Sequence, residues 1–225
     1  MNRLVLFDFD GTLADTAPDL AAAANKQRER KGLPPLPYEA LRPMASQGAR
    51  GLLRASLDML PDHPEYEAFR SQFLQDYEAA MTVLTTLFPG IPELLDTLKA
   101  NGYRWGIVTN KLEYLALPLV KHLGLHTDCV VTVGGDTTGH AKPHPEPLLH
   151  AARVAGIDPA HCIYVGDDER DVIAGKAAGM HTVAAAYGYC ELSEVAGWKA
   201  DAIVKSPAEI WPVIEKLWPR IPERA

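Results

Sequence analysis

Leu4-Val5-Leu6-Phe7-Asp8-Phe9-Asp10-Gly11-Thr12-Leu13-Ala14-Asp15 opens the chain with an unbroken apolar run that turns acidic at its end. A short run with no polar residue to face solvent fits a strand covered on both faces, as the central strands of parallel sheets are. Side chains alternate along an extended backbone, so Asp8 and Asp10 point one way and Phe9 points back into the core. Gly11 permits a tight turn in which main-chain N–H groups can lie against an anion. The stretch predicts two carboxylates at the carboxyl end of a buried strand, the place where open α/β sheets bind their ligands.

Outward from it, Thr16-Ala17-Pro18-Asp19 carries helix-start signals: a capping hydroxyl, a proline in the first turn and an acid three residues after the threonine. The helix is expected to run to Arg30 and stop at Gly32, with Pro34, Pro35 and Pro37 breaking the chain after it. Further helical patterns cover 38–44, 48–60 and 65–84, with no strand-like run among them. Residues 16–84 therefore describe a helical unit inserted after the first strand. From Leu87 onward the pattern alternates: helix 93–100, strand 103–111, helix 112–123, strand 129–133, helix 145–155, strand 162–165, helix 172–178, then strands at 182–186 and 202–204. Strands separated by single helices imply crossover units and a parallel, Rossmann-like sheet. The expected domains are an α/β core of 1–15 and 85–225 and a helical unit of 16–84.

The opening DFDGTLADT string closely resembles the first motif of the haloacid dehalogenase (HAD) superfamily of phosphatases. That resemblance implies an inserted helical cap over the active site, and three further motifs downstream in order. Thr109-Asn110 at a strand end, Lys142 in the loop before a helix, and Asp167 with Asp171 after a strand arrive in that order. Within the superfamily the chain resembles the phosphoglycolate phosphatase group. The stretches Arg30-Lys31-Gly32-Leu33-Pro34-Pro35, Ser46-Gln47-Gly48-Ala49-Arg50 and Val165-Gly166-Asp167-Asp168 resemble its N-acetylmuramic acid 6-phosphate phosphatase branch. One departure is His144, where the group usually has an acid; it lies beyond the lysine, so local capping rather than chemistry is expected to change.

Asp8, Asp10, Asp167 and Asp171 set four carboxylates against the one ammonium of Lys142. At an effective dielectric of about 20, each like-charge pair ~4 Å apart costs roughly 4 kcal/mol, so a cation is expected. Oxygen ligands without a His or Cys pair favour Mg²⁺. The resemblance implies Asp8 as nucleophile, forming an aspartyl-phosphate, and Asp10 as acid and then base. It implies Thr109, Asn110 and nearby main-chain N–H groups as phosphoryl holders, and Lys142 as the balancing charge. Asp8, Asp10 and Asp167 are expected at the metal, with Asp171 orienting Lys142 or a metal-bound water. Asp168 and Glu169 are expected to be solvated, or at most to sit behind the residues that touch substrate or metal. Arg50 and Gln47, beside Gly48, are the candidates for reading a substrate carboxylate or sugar hydroxyl.

Composition narrows the partners. The 225 residues carry a net charge of −7, with 47% hydrophobic and 23% charged residues. These are ordinary globular values, and the acidic balance argues against nucleic acid and anionic membranes. Cys129, Cys162 and Cys190 are odd in number and widely spaced, so reduced thiols and a cytoplasmic location are expected. No run of about 18 apolar residues occurs. The expected partner is a small phosphorylated metabolite, with the protein a monomer or homodimer. Two rivals stand beside the phosphatase. One is a sugar-phosphate mutase on the same core; the other is a phosphorylated signalling module resembling receiver domains, which carry no inserted helical unit of this size.

Overall fold

The structure is a computed structural model and describes residues 3–190 and 192–218. The chain forms β1 (Leu4–Phe7) and β2 (Ala14–Asp15), then α1 (Ala17–Arg30), α2 (Tyr38–Leu41), a 3-10 stretch (Arg42–Gln47), α3 (Gly48–Leu57) and α4 (Tyr66–Glu78). It continues through β3 (Thr86–Leu87), α5 (Ile91–Ala100), β4 (Arg104–Val108), α6 (Glu113–His122), β5 (Cys129–Val133) and α7 (Glu146–Ala155). Last come β6 (Cys162–Gly166), α8 (Glu169–Ala177), β7 (His181–Ala185), α9 (Leu192–Val195), β8 (Ala202–Val204) and α10 (Ile210–Leu217).

Six strands form one parallel sheet in the order β5-β4-β1-β6-β7-β8. β1 lies inside it between β4 and β6, with Leu6 opposite both Gly106 and Tyr164, and all four of its residues are fully buried. Both faces are covered. Val5, Phe7, Ile107 and Val165 share one core with Leu98 of α5 and Ile214 of α10, while Leu4, Leu6 and Val108 share another with Leu148 and Ala151 of α7. Burying a side chain such as Phe7 is worth about 1.5–3 kcal/mol, which is why this short strand needs no polar face. The α/β, Rossmann-like expectation is met, with the HAD-like core topology set by β1 at the centre.

The first core runs on without a break into the helices between β2 and β3. α1 buries Leu20 with Ala17, Ala21, Ala23 and Ala24, and the small alanines let α3 and α4 approach with Leu52, Leu53, Phe73 and Tyr77. β2 and β3 form a separate antiparallel pair, Ala14 opposite Leu87 and Asp15 opposite Thr86. The sequence reading did not anticipate this ribbon.

The start of α1 and the end of α4 differ from expectation for one connected reason. Thr16 does not cap α1 with its side chain. Its hydroxyl donates to Asp10, and the Tyr189 hydroxyl accepts the N–H groups of Thr16 and Ala17 at 2.8 and 3.0 Å. Asp19 does not stay within α1 either: its carboxylate accepts the N–H groups of Leu84 and Thr85 and the Thr85 hydroxyl at 2.9–3.0 Å. That buried carboxylate draws the chain out of helix before residue 84, so α4 ends at Glu78 and the backbone returns to the ribbon. α8 begins earlier than expected because Asp168 accepts the Arg170 N–H at 2.9 Å while Asp171 accepts the Asp168 N–H at 3.1 Å, a closed capping box. Among the described residues no helix is long and apolar enough to cross a membrane.

Candidate active site

Parallel strands place their carboxyl ends on one edge, so residues far apart in sequence meet there. Asp8 and Asp10 follow β1, Thr109 to Lys111 follow β4, Asp167 follows β6, and Asp171 sits in the first turn of α8. Lys142 comes from the loop before α7. The Asn110 side chain fixes that loop from behind: its Nδ2 donates to the Lys142 carbonyl at 2.9 Å, and its Oδ1 accepts the Lys142 N–H at 2.8 Å. Asn110 thus spends its amide on positioning Lys142. Thr109, 2% exposed, accepts the Lys111 N–H at 3.1 Å.

Lys142 is the hub. Its Nζ lies 2.9 Å from Asp8 Oδ1 and 2.7 Å from Asp171 Oδ1, and donates to the Tyr164 hydroxyl at 2.7 Å, which in turn donates to the Val108 carbonyl. Burial alone would pull the Lys142 ammonium down, but Asp171 and Asp8 outweigh it and hold its pKa above the ordinary lysine value. Asp8 Oδ1 also accepts the Phe9 N–H at 2.8 Å. Its Oδ2 has no hydrogen-bond partner among the described residues. Burial pushes Asp8 up to about 7 against the pull of Lys142, with Asp171 and Asp10 adding to the rise.

Asp167 is fully buried and, among the described residues, has no cation paired with it. It accepts the Thr12 hydroxyl at 3.1 Å and the Tyr189 N–H at 2.9 Å, and burial with Asp8 and Asp171 nearby holds it well above the usual carboxylate range. Two glycines make room for it. A Cβ at Gly11, where φ is +80°, would sit 2.1 Å from Asp167 Oδ2, and one at Gly188 would sit 2.4 Å from the same atom. Carboxylate oxygens of Asp8, Asp167 and Asp171 lie within 4.8 Å of one another. Asp171 has already committed one oxygen to Lys142 and Tyr164 and the other to the Asp168 N–H. Asp167 instead accepts one bond from a neutral donor at each oxygen, and Asp8 Oδ2 accepts none, so these two are the freer hard oxygen donors; a buried carboxylate pair with one member lacking a counter-charge among the described residues suits a small divalent cation.

Asp10, the third acid expected at a metal, keeps its carboxylate apart from this cluster. Its Oδ1 accepts from Thr16 and lies 2.9 Å from Lys111 Nζ, which also donates to the Tyr77 hydroxyl of α4 at 3.1 Å. Asp8, Asp10, Thr109, Asn110, Lys142 and Asp171 line one cavity of about 330 Å³, walled on the other side by the helices. Gln47 and Arg50 are exposed residues on that wall, joined by Arg70, Phe73 and Leu74. Asp168 is not solvated as expected: it holds the Arg170 guanidinium at 2.7 and 2.8 Å, and Arg170 reaches across to the Ser46 carbonyl at 2.7 Å. Sequence reasoning missed Tyr164, Lys111, Tyr189 and Arg170. Lys111 directly follows Thr109-Asn110, and Tyr164 sits two residues before Gly166 in a strand otherwise apolar, so both carried a positional signal.

Comparison with known proteins agrees with this geometry. Residues 5–185 match the family model described as haloacid dehalogenase-like hydrolase. The chain is 44% identical over 219 residues to a phosphoglycolate phosphatase of Xanthomonas campestris pv. campestris, covering 97% of this chain and 98% of that protein. It is 41% identical over 215 residues to the N-acetylmuramic acid 6-phosphate phosphatase of Pseudomonas aeruginosa, covering 95% of each. Among solved structures, a predicted phosphoglycolate phosphatase from Haemophilus somnus 129PT superposes with a TM-score of 0.84 at 29% identity, over 95% of this chain and 98% of the other. With the acid-tipped central strand, the lysine hub and matches of this extent, the chain belongs to the haloacid dehalogenase-like hydrolases.

Proposed function

We propose that the protein is a Mg²⁺-dependent hydrolase of small phosphomonoesters that works through an aspartyl-phosphate, with residues 16–84 acting as a cap and 1–15 and 85–225 as the core. The observation that carries this reading is the buried Asp8–Lys142–Asp171 line on the cavity wall, with Asp8 Oδ2 free of any hydrogen bond among the described residues. Two names among the relatives, phosphoglycolate phosphatase and N-acetylmuramic acid 6-phosphate phosphatase, put phosphoglycolate first and the amino-sugar phosphate second as substrates.

Asp8 Oδ2 attacks phosphorus as the bond to the ester oxygen breaks, and Asp10 gives that oxygen its proton. Asp10 then takes a proton from the water that attacks phosphorus, breaking the Asp8–phosphoryl bond and releasing phosphate. Lys142 favours the ionised form of Asp8 against the effect of burial and offsets charge on the phosphoryl oxygens, while Thr109 and main-chain N–H groups beside Asp8 and Asp10 orient them. Asp171 and Tyr164 hold Lys142 in place. Asp8 and Asp167 would hold Mg²⁺, which supplies charge neutralisation for nucleophile and phosphoryl group when bound. Arg50 and Gln47 face the leaving group from the cap.

The test is a panel of phosphomonoesters, including phosphoglycolate and N-acetylmuramic acid 6-phosphate, assayed with Mg²⁺ and with EDTA. Hydrolysis with Mg²⁺ that Asp8→Asn abolishes is expected; an Asp8→Asn protein as active as the parent, or a parent that releases no phosphate from any ester, refutes the reading. Release of inorganic phosphate rather than a transferred sugar phosphate separates the hydrolase from a mutase.

A further inference from the structure

We propose that Lys111 is a specificity-determining residue: its ammonium reads an anionic oxygen on the carbon next to the esterified one, favouring phosphomonoesters that carry a carboxylate there. The inference rests on the phosphatase reading above and adds to it a residue and a position on the substrate.

Lys111 stands at the tip of β4 with its side chain 7% exposed, on the wall of the cavity. An ammonium has three N–H donors in tetrahedral array. One points to Asp10 Oδ1 at 2.9 Å and one to the Tyr77 hydroxyl at 3.1 Å, the latter also placing the Tyr77 ring centroid 4.6 Å from Nζ. These two contacts, one from the core and one from the cap, fix the direction of the third donor. Among the described residues it meets no further hydrogen-bond acceptor, and Lys111 lies on the wall of the cavity. A buried charged donor left unpaired is costly, so an incoming acceptor gains from meeting it.

Asp10 fixes where that acceptor lies on the substrate. In the phosphatase reading it is the group that faces the ester oxygen, and Lys111 bonds to the same carboxylate, so the free donor looks past that oxygen into the leaving group, toward atoms three bonds beyond it. A carboxylate on the adjacent carbon falls there; the distant carboxylate of an amino-sugar phosphate does not. Arg50, on α3 of the cap, has no ion pair among the described residues and is left to read groups farther out.

The experiment compares kcat/KM for phosphoglycolate and ethyl phosphate, which has a methyl in place of the carboxylate, in the parent, Lys111→Met, Lys111→Gln and Arg50→Ala. A hydrogen bond to a charged group predicts about a 10- to 100-fold preference for phosphoglycolate in the parent. Lys111→Met should bring that ratio close to unity, chiefly by raising KM for phosphoglycolate, and Arg50→Ala should leave it within about 3-fold of the parent. Loss of Asp10 positioning lowers both substrates together and so does not move the ratio. If Lys111→Met does not fold, Lys111→Gln, which keeps a donor without the charge, should still lower the ratio several-fold. A parent without the preference, an unchanged ratio in the Lys111 variants, or a collapse in Arg50→Ala alone overturns the assignment while hydrolysis of any ester leaves the phosphatase reading standing. No hydrolysis of any ester overturns the reading itself.

Discussion

Gly188→Ala tests the proposed Mg²⁺ site without removing a single candidate ligand atom. The added methyl would lie 2.3 Å from Asp167 Cβ and 2.4 Å from its Oδ2, whereas an ordinary contact is 3.4 Å or more, so about 1 Å must open between them. Gly188 is held from both sides, its N–H on the Ala185 carbonyl and its carbonyl on Arg42 Nη2 at 2.9 Å, so the loop yields little and Asp167 must move. Overpacking of this kind costs about 1–3 kcal/mol of stability. A metal-binding carboxylate displaced by ~1 Å weakens affinity by about 10- to 100-fold, with a comparable loss of rate when Mg²⁺ is not saturating. Urea denaturation in EDTA reads the first effect, and titrating activity against Mg²⁺ reads the second. An apparent Mg²⁺ constant within 2-fold of the parent, in a protein destabilised as expected, would refute the placement of Mg²⁺ at Asp167.

Lys142→Met leaves Asp8 and Asp171 buried without their shared cation, and should cost about 3–5 kcal/mol in urea denaturation at neutral pH as well as abolish turnover. Tyr189→Phe removes the acceptor for the first two N–H groups of α1 and should cost about 1–2 kcal/mol, whereas Thr16→Val, which keeps that acceptor, should cost less stability while lowering kcat through Asp10. In metal-free protein the Asp8 carboxyl is raised from 3.8 to about 7, so its contribution to stability is complete below about pH 4 and is lost as pH rises through 7. The melting temperature in EDTA should fall over that window, Asp8→Asn should flatten the fall, and the stabilisation by Mg²⁺ should grow with pH.

The parallel sheet was readable because β1 is an apolar run with no polar face and because each later strand is flanked by helices of ordinary period. Asp8, Asp10, Thr109, Lys142, Asp167 and Asp171 were legible through the resemblance to the superfamily's ordered motifs, and the parallel strands bring Asp8, Thr109 and Asp167 to one edge whatever the loop lengths between them. The ribbon of β2 and β3 was not: two residues per strand carry no periodicity, and what fixes the pairing is the return of the chain from Asp19 through Thr85. The capping of α1 escaped for a related reason. The local signal at Thr16 was sound, but a hydroxyl 173 residues away took the helix N–H groups and freed Thr16 for Asp10. Lys111 and Tyr77 meet across two layers, so neither carried a hint of the other.

The two-stranded ribbon has a consequence for how this architecture can vary. Entry to the helices at Ala14–Asp15 and exit at Thr86–Leu87 are laid side by side, so the sheet sees the whole excursion as a single tight loop between β1 and α5. Helices could be lengthened, exchanged or trimmed beyond that point without altering the register of any strand in the six-stranded sheet. A chemistry held at the strand tips can therefore be paired with a succession of different roofs, each grafted through the same doorway.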